Sequence, residues 1–177
     1  MLNTADIVKF YGDPGLKRTE AQGEDPVWRK ANLRSYKDMP GLDPTKWFNC
    51  HRLVERHMRE GFALSMTAAP GYIQKAGCFA FRHMRHKVTM PLSRHAWGIA
   101  VDINSGDNAA RYFKRGDAPK AWSEEWLKIW PRGVTPSLVE AWRSCGFLWG
   151  GDWDANGATE DEVYIDPMHF EYTLLRP

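Results

Sequence analysis

Two short segments of the chain hold the residue types that do hydrolytic chemistry. The first runs Ser93-Arg-His95-Ala-Trp-Gly98-Ile-Ala100-Val-Asp102-Ile-Asn104, and the second Asp166-Pro-Met-His169-Phe-Glu171. Neutral imidazole and carboxylate are donors that zinc favours, and a catalytic zinc site takes three protein ligands while leaving one position open. His95 and Asp102 lie seven residues apart, a spacing that shares no helix face. They meet only if His95 sits on a loop leading into a strand that carries Asp102. Gly98 would let the chain bend tightly there, and Ala100 leaves room beside the strand. His169 on a neighbouring strand would complete the three. Asp166, three residues earlier and across a proline, would lie on the connection and lean over the metal. From there it could take a proton from the attacking water and pass it to a leaving amine. Taken singly, each of these residues is more often a packed or hydrogen-bonded core residue than a ligand. On residue type alone, a two-His, one-Asp zinc site and an ordinary polar core stand side by side.

The elements that must position these groups are partly readable. From Trp97 to Ile103 the chain alternates, with Ile99, Val101 and Ile103 facing one way and Ala100 and Asp102 the other. Near the end, Met168, Phe170, Tyr172 and Leu174 alternate with His169, Glu171 and Thr173, so His169 and Glu171 project from one face. Thr135-Pro136 opens a helix whose stripe is Leu138, Val139, Trp142 and Cys145, stopped by Gly146. Phe147–Trp149 reads as a short strand and Gly150-Gly151 as a turn. By the same capping logic Asp43-Pro44 predicts a helix through Trp47, Cys50, Val54 and Met58, ended by Gly61, with His51 and His57 as packing or surface residues. A strand is expected near Cys78–Arg82, then a solvated basic turn with His83 and His86. Thr4 caps a short helix through Tyr11, closed by Gly12. Residues 12 to 45 read as an extended arm anchored by Trp28 and Leu33. With no βαβ rhythm, the class is α+β: a small antiparallel sheet with flanking helices.

With 177 residues the chain fits one domain. The expected division is an N-terminal arm over 1–45, packed on a catalytic domain over 46–177. A net charge of +2 is too small to argue for nucleic acid. Three cysteines (Cys50, Cys78, Cys145) with no CxxC spacing make neither a disulfide framework nor a cysteine zinc site. No basic-then-apolar leader and no long apolar run is visible, so neither a signal peptide nor a membrane span is expected. Synthesis is therefore expected in the cytoplasm. Nine tryptophans serve packing, or line a groove that grips a polymer.

Ser93 to Asp102 resembles the S-x-H-x-x-G-x-A-x-D signature of the zinc D-alanyl-D-alanine peptidases. Asp166 to Glu171 resembles the D-x-x-H-F-E ending of phage L-alanyl-D-glutamate endolysins in the same superfamily. Gly146-Phe-Leu-Trp149-Gly-Gly-Asp152-Trp is similar to the segment those endolysins carry shortly before it. The resemblance covers about residues 75 to 172 and implies the fold shared with the hedgehog signalling domain. It implies one zinc ion on His95, Asp102 and His169, with Asp166 as general base. Arg82 resembles the arginine that binds the substrate carbonyl or carboxylate and steadies an oxyanion, with Arg85 as a close competitor. Ser93, Trp149 and Asp152 are expected at the substrate, Ser93 with a turn cap as its alternative, and Glu171 as a partner of His169. Some carboxypeptidase relatives carry a second His two residues before the last ligand. Pro167 stands there, which points toward the endolysin branch.

The expected activity is hydrolysis of a peptidoglycan stem peptide by a monomer acting on the bacterial wall after release, at the L-alanyl-D-glutamate bond. D-alanyl-D-alanine carboxypeptidase activity is the enzymatic alternative. A non-catalytic zinc module binding wall polymer or a phage component, and a cysteine hydrolase using Cys78 or Cys145, are the rivals of other classes.

Overall fold

The computed structural model describes residues 3–174. Helix α1 (Thr4–Tyr11) is capped by the Asn3 side chain, which accepts from the Asp6 amide at 2.9 Å; the cap thus lies one residue before Thr4. Gly12 closes it as expected. The segment that follows is not purely extended. Asp25-Pro26 starts α2 (Pro26–Asn32), with the Asp25 carboxylate accepting from the amides of Val27 and Trp28. Strand β1 (Leu33–Tyr36) then pairs antiparallel with β2 (Phe48–His51).

That pairing corrects the helix expected from Asp43. The Asp43 carboxylate folds back onto the amide and hydroxyl of Thr45, making a local turn, and Trp47 is 62% exposed. Phe48 and Cys50 then point inward at a period of two, which the sheet uses and a helix cannot. The helix, α3 (Glu55–Ala68), begins only after Val54. Gly61 does not end it. A Cβ there would stand 2.9 Å from the Trp142 ring, so the glycine lets α3 approach α5 (Pro136–Ser144) closely. The Ser65 hydroxyl accepts from Trp142 Nε1 at 3.0 Å and donates to the Gly61 carbonyl at 2.7 Å, which satisfies both polar groups inside that contact.

The remaining elements are β3 (Ala76–Gly77), β4 (Ala100–Ile103), β5 (Arg111–Tyr112), α4 (Glu124–Ile129), β6 (Phe147–Trp149), β7 (Tyr164–Ile165) and β8 (His169–Tyr172). The central antiparallel sheet runs in the order β3-β4-β8-β6, and β5 pairs with β7 in a small separate ladder. The class is α+β, as the alternation at the two site segments predicts. Cys78–Arg82 is not a strand. Beyond Gly77 the Ala80 amide donates to the His95 carbonyl and the Ser93 amide to the Arg82 carbonyl, so this stretch wraps the turn that carries His95. Ile99, Val101, Ile103 and Phe170 are wholly buried, and they share one apolar cluster with Ile7, Tyr11, Trp28, Leu33 and Phe48. No helix among the described residues is long and apolar enough to cross a membrane.

Candidate active site

The site grows from the register of β4 and β8, in which Asp102 stands opposite His169 and Ala100 opposite Glu171. Facing positions on adjacent antiparallel strands bring their side chains together, so the two donors converge without any long-range loop. His95 arrives differently. It sits in a 3-10 turn, Arg94–Trp97, that Ser93 caps through its hydroxyl and Gly98 terminates in the left-handed region at φ +67. A Cβ on Gly98 would stand 2.9 Å from the His51 amide nitrogen and from Leu33 Cδ2, so glycine is required there twice over.

Each imidazole has one nitrogen tied outward and one turned inward. His95 Nδ1 meets the Cys78 carbonyl at 2.5 Å and donates to it, leaving Nε2 to face Asp102 Oδ1 at 3.1 Å and His169 Nδ1 at 3.2 Å. His169 Nε2 meets Glu171 Oε2 at 3.2 Å, and its Nδ1 faces Asp102 Oδ1 at 3.1 Å. Arg94 holds the far oxygen of Glu171 at 3.6 Å. One donor atom from each of His95, Asp102 and His169 lies within 4.8 Å of the others. Two imidazole lone pairs and a carboxylate oxygen aimed at one point repel one another unless a cation sits between them. That donor set fits zinc, with Nε2 of His95, Nδ1 of His169 and a carboxylate oxygen as ligands.

The proton affinities agree with that picture. Burial opposes the charge on Asp102, but hydrogen bonds from His169 and His95 outweigh it and hold the carboxyl well below its usual range. Burial likewise opposes charge on His169, yet its hydrogen bonds to Asp102 and Glu171 lift it to about 10. The pocket is built to hold positive charge between carboxylates.

Asp166 lies on the tight connection from β7 to β8. Its amide donates to the Gly150 carbonyl at 2.7 Å, and its carbonyl accepts from the His169 amide at 3.0 Å. Gly150 has no alternative: a Cβ there would stand 2.5 Å from the Asp166 carbonyl oxygen. Oδ2 of Asp166 accepts from the Tyr164 hydroxyl at 3.2 Å, while Oδ1 is buried with no hydrogen-bond partner. Burial pushes the Asp166 carboxyl up, as does Asp102, with His169 pulling against them. A cavity of about 320 Å³ opens beside these groups, lined by Arg82, Arg85, Ser93, Tyr164, Asp166 and His169 among others.

Two residues expected at the substrate are not brought to this cavity. Trp149 is 1% exposed; its indole nitrogen donates to the Pro167 carbonyl at 3.0 Å and its ring stacks on Trp122, so it buttresses the Asp166 connection from beneath. Asp152 is equally buried, bonded to Arg143 at 2.5 Å and to the amides of Asn156 and Gly157 at 3.0 Å each, and it closes a loop. Ser93 both caps its turn and lines the cavity. Tyr164 and Arg94 were not singled out from the sequence, and Gly150 only as part of a turn. Only the position of Tyr164, two residues before Asp166 on an extended segment, could have flagged it.

A family model described as D-alanyl-D-alanine carboxypeptidase matches residues 87–172. Those residues carry Ser93, His95, Asp102, Asp166 and His169, and end with β8. The matched family is one of peptidases. Residues 87–172, just under half of the chain, are thus similar to the D-alanyl-D-alanine carboxypeptidases, in the stretch that holds both motifs. Searches of curated proteins and of solved structures gave no match.

Proposed function

We propose that this chain is a zinc-dependent peptidase of the bacterial cell wall, cutting the L-alanyl-D-glutamate bond of peptidoglycan stem peptides in the manner of a phage endolysin. The observation that carries the reading is the convergence of His95 Nε2, His169 Nδ1 and Asp102 Oδ1 beside a buried carboxylate oxygen without a partner. Zinc held there supplies Lewis acidity toward the scissile carbonyl and lowers the pKa of water. The chain's own residues do the rest. Asp166 takes a proton from the attacking water through Oδ1 and returns it to the leaving amine. Arg82 places a fixed positive charge in the cavity for the oxyanion. The Cys78 carbonyl and Glu171 hold the two rings in the tautomers that face inward. Residues 1–45 belong to the same folded unit as a packed arm, and the chain acts as a monomer.

Preference for the endopeptidase reaction rests on Asp166-Pro-Met-His169-Phe-Glu171 and on Pro167 standing where some carboxypeptidases carry histidine. The family description itself favours a second reading, a D-alanyl-D-alanine carboxypeptidase, whose free carboxylate Arg82 or Arg85 would clamp. Digestion of purified peptidoglycan, with chelator and zinc add-back, separates the two by mass spectrometry of the new termini. Chelator-sensitive release of N-terminal D-glutamate is expected. Release of D-alanine alone would establish the carboxypeptidase. No cleavage by a zinc-loaded protein would make the site a structural or binding module.

A further inference from the structure

Asp166 has one oxygen free and one oxygen held, and the holder is a tyrosine that is itself clasped on several sides. The Tyr164 hydroxyl donates to Asp166 Oδ2 at 3.2 Å. The Arg85 guanidinium lies 4.9 Å from the centroid of the Tyr164 ring and 4.9 Å from that of Tyr112, whose rings are 4.8 Å apart on the β5–β7 ladder. Trp153 stacks on Tyr164 nearly parallel, at 14°, and its indole nitrogen donates to the Tyr164 carbonyl at 2.8 Å. Arg85 adopts φ +56, a strained conformation for a non-glycine residue. The neighbouring turn is tied down because Glu20 accepts from the His83 amide at 2.6 Å. Such a set of contacts fixes the ring of the half-buried Tyr164.

We propose that Tyr164 is a positioning residue for the reaction: by holding Asp166 Oδ2 it fixes the rotation of the carboxylate and leaves Oδ1, which has no hydrogen-bond partner, as the Asp166 oxygen that receives a proton. The inference rests on the reading of Asp166 as the proton-transfer group. No bond to Tyr164 is made or broken in the reaction; the hydroxyl keeps its proton and acts only through the orientation of the carboxylate. Nothing in the sequence motifs that mark the site assigns Tyr164 a role.

The test uses the zinc-loaded full chain and the disaccharide tetrapeptide prepared from peptidoglycan. Tyr164→Phe keeps the ring, the Arg85 contact and the Trp153 stack while deleting the hydrogen bond. It should lower kcat roughly tenfold to hundredfold with KM changed by less than about twofold, the size expected for a lost orienting bond to a charged group. Tyr112→Phe, which removes no contact to Asp166, should keep both constants. In an Asp166→Asn background the Tyr164→Phe change should cost nothing further. In the protein without substrate, the 13C resonance of the Asp166 side-chain carboxyl, assigned by its loss in Asp166→Asn, should shift in Tyr164→Phe and stay in Tyr112→Phe. An unchanged kcat in Tyr164→Phe, or a full multiplicative loss in the double variant, overturns the positioning role while leaving Asp166 in place. Asp166→Asn with wild-type kcat, or a wild type that cleaves neither the tetrapeptide nor a pentapeptide ending in D-alanyl-D-alanine, removes the role of Asp166 and this proposal with it.

Discussion

His51 and His169 are buried to nearly the same degree, and Gly98 lies between their neighbourhoods, yet the protein treats the two rings in opposite ways. His51 is caged by backbone: its Nε2 donates to the Tyr11 carbonyl at 3.2 Å and its Nδ1 accepts from the Leu53 amide at 3.2 Å. Both ring nitrogens are satisfied in the neutral form, and burial pushes the pKa from 6.5 down to about 4. His169 is caged by carboxylates, which turn the same ring into a seat for positive charge. Burial alone therefore says little about a histidine. What decides its chemistry is whether its partners are dipoles that complete it or charges that demand a cation.

The sharpest way to break this comparison is to remove the carboxylate. Asp102→Ala should lower zinc affinity by on the order of a thousandfold and abolish hydrolysis, because it deletes a ligand. His51→Gln should leave zinc stoichiometry at one per chain. Metal analysis of the two purified variants decides it, and a metal-free His51→Gln would erase the distinction between the two cages.

Next in size is acid sensitivity. The unfolded chain protonates His51 below about pH 6.5, whereas the native chain does so only near pH 4. The unfolded state thus binds more protons in that window, and stability falls as pH drops through it, by up to about 3 kcal/mol at pH 4. Urea midpoints for wild type and His51→Gln between pH 7 and 4 should converge as pH falls. Parallel slopes would show that His51 is not the group titrating.

Gly98→Ala strikes the bridge between the two neighbourhoods. Its φ of +67 and the 2.9 Å approaches to His51 and Leu33 predict a loss of about 2–3 kcal/mol in denaturant unfolding. A loss under about 0.5 kcal/mol would mean that the turn relaxes freely. The smallest effect is expected from Glu171→Gln, which keeps shape but weakens the grip on His169 Nε2. Zinc affinity measured against a chelating dye should fall roughly tenfold, and an unchanged affinity would leave Arg94 and Glu171 as packing alone.

What could be seen in the sequence follows from the range of the forces involved. Asp102 and His169 were legible because strand alternation sets their faces locally, and a two-residue period survives in any context. The helix α5 was legible because Thr135-Pro136 and Gly146 punctuate both its ends. The helix expected from Asp43 failed because Cys50 belongs both to a helical pattern, with Trp47 and Val54, and to a strand pattern, with Phe48, and pairing with β1 settles which one is used. That partner lies in the segment read as an arm. Trp149 and Asp152 were misplaced for a related reason: residue type cannot tell a tryptophan facing a cavity from one supporting the loop behind it. Tyr164 was invisible because its contacts to Arg85 and Trp153 join three loops that no local period links.

The bond between the His51 amide and the Gly98 carbonyl, 2.9 Å long, has a consequence for how the molecule can be divided. The stretch that reveals ancestry begins at Lys87, yet the turn bearing His95 leans on Leu33, Cys50 and His51, all outside it. Kinship is therefore written in a shorter piece than the one that cooperates in folding. A chimera cut at the edges of the family match would inherit His95, Asp102 and His169 and lose the wall that keeps the first of them in register.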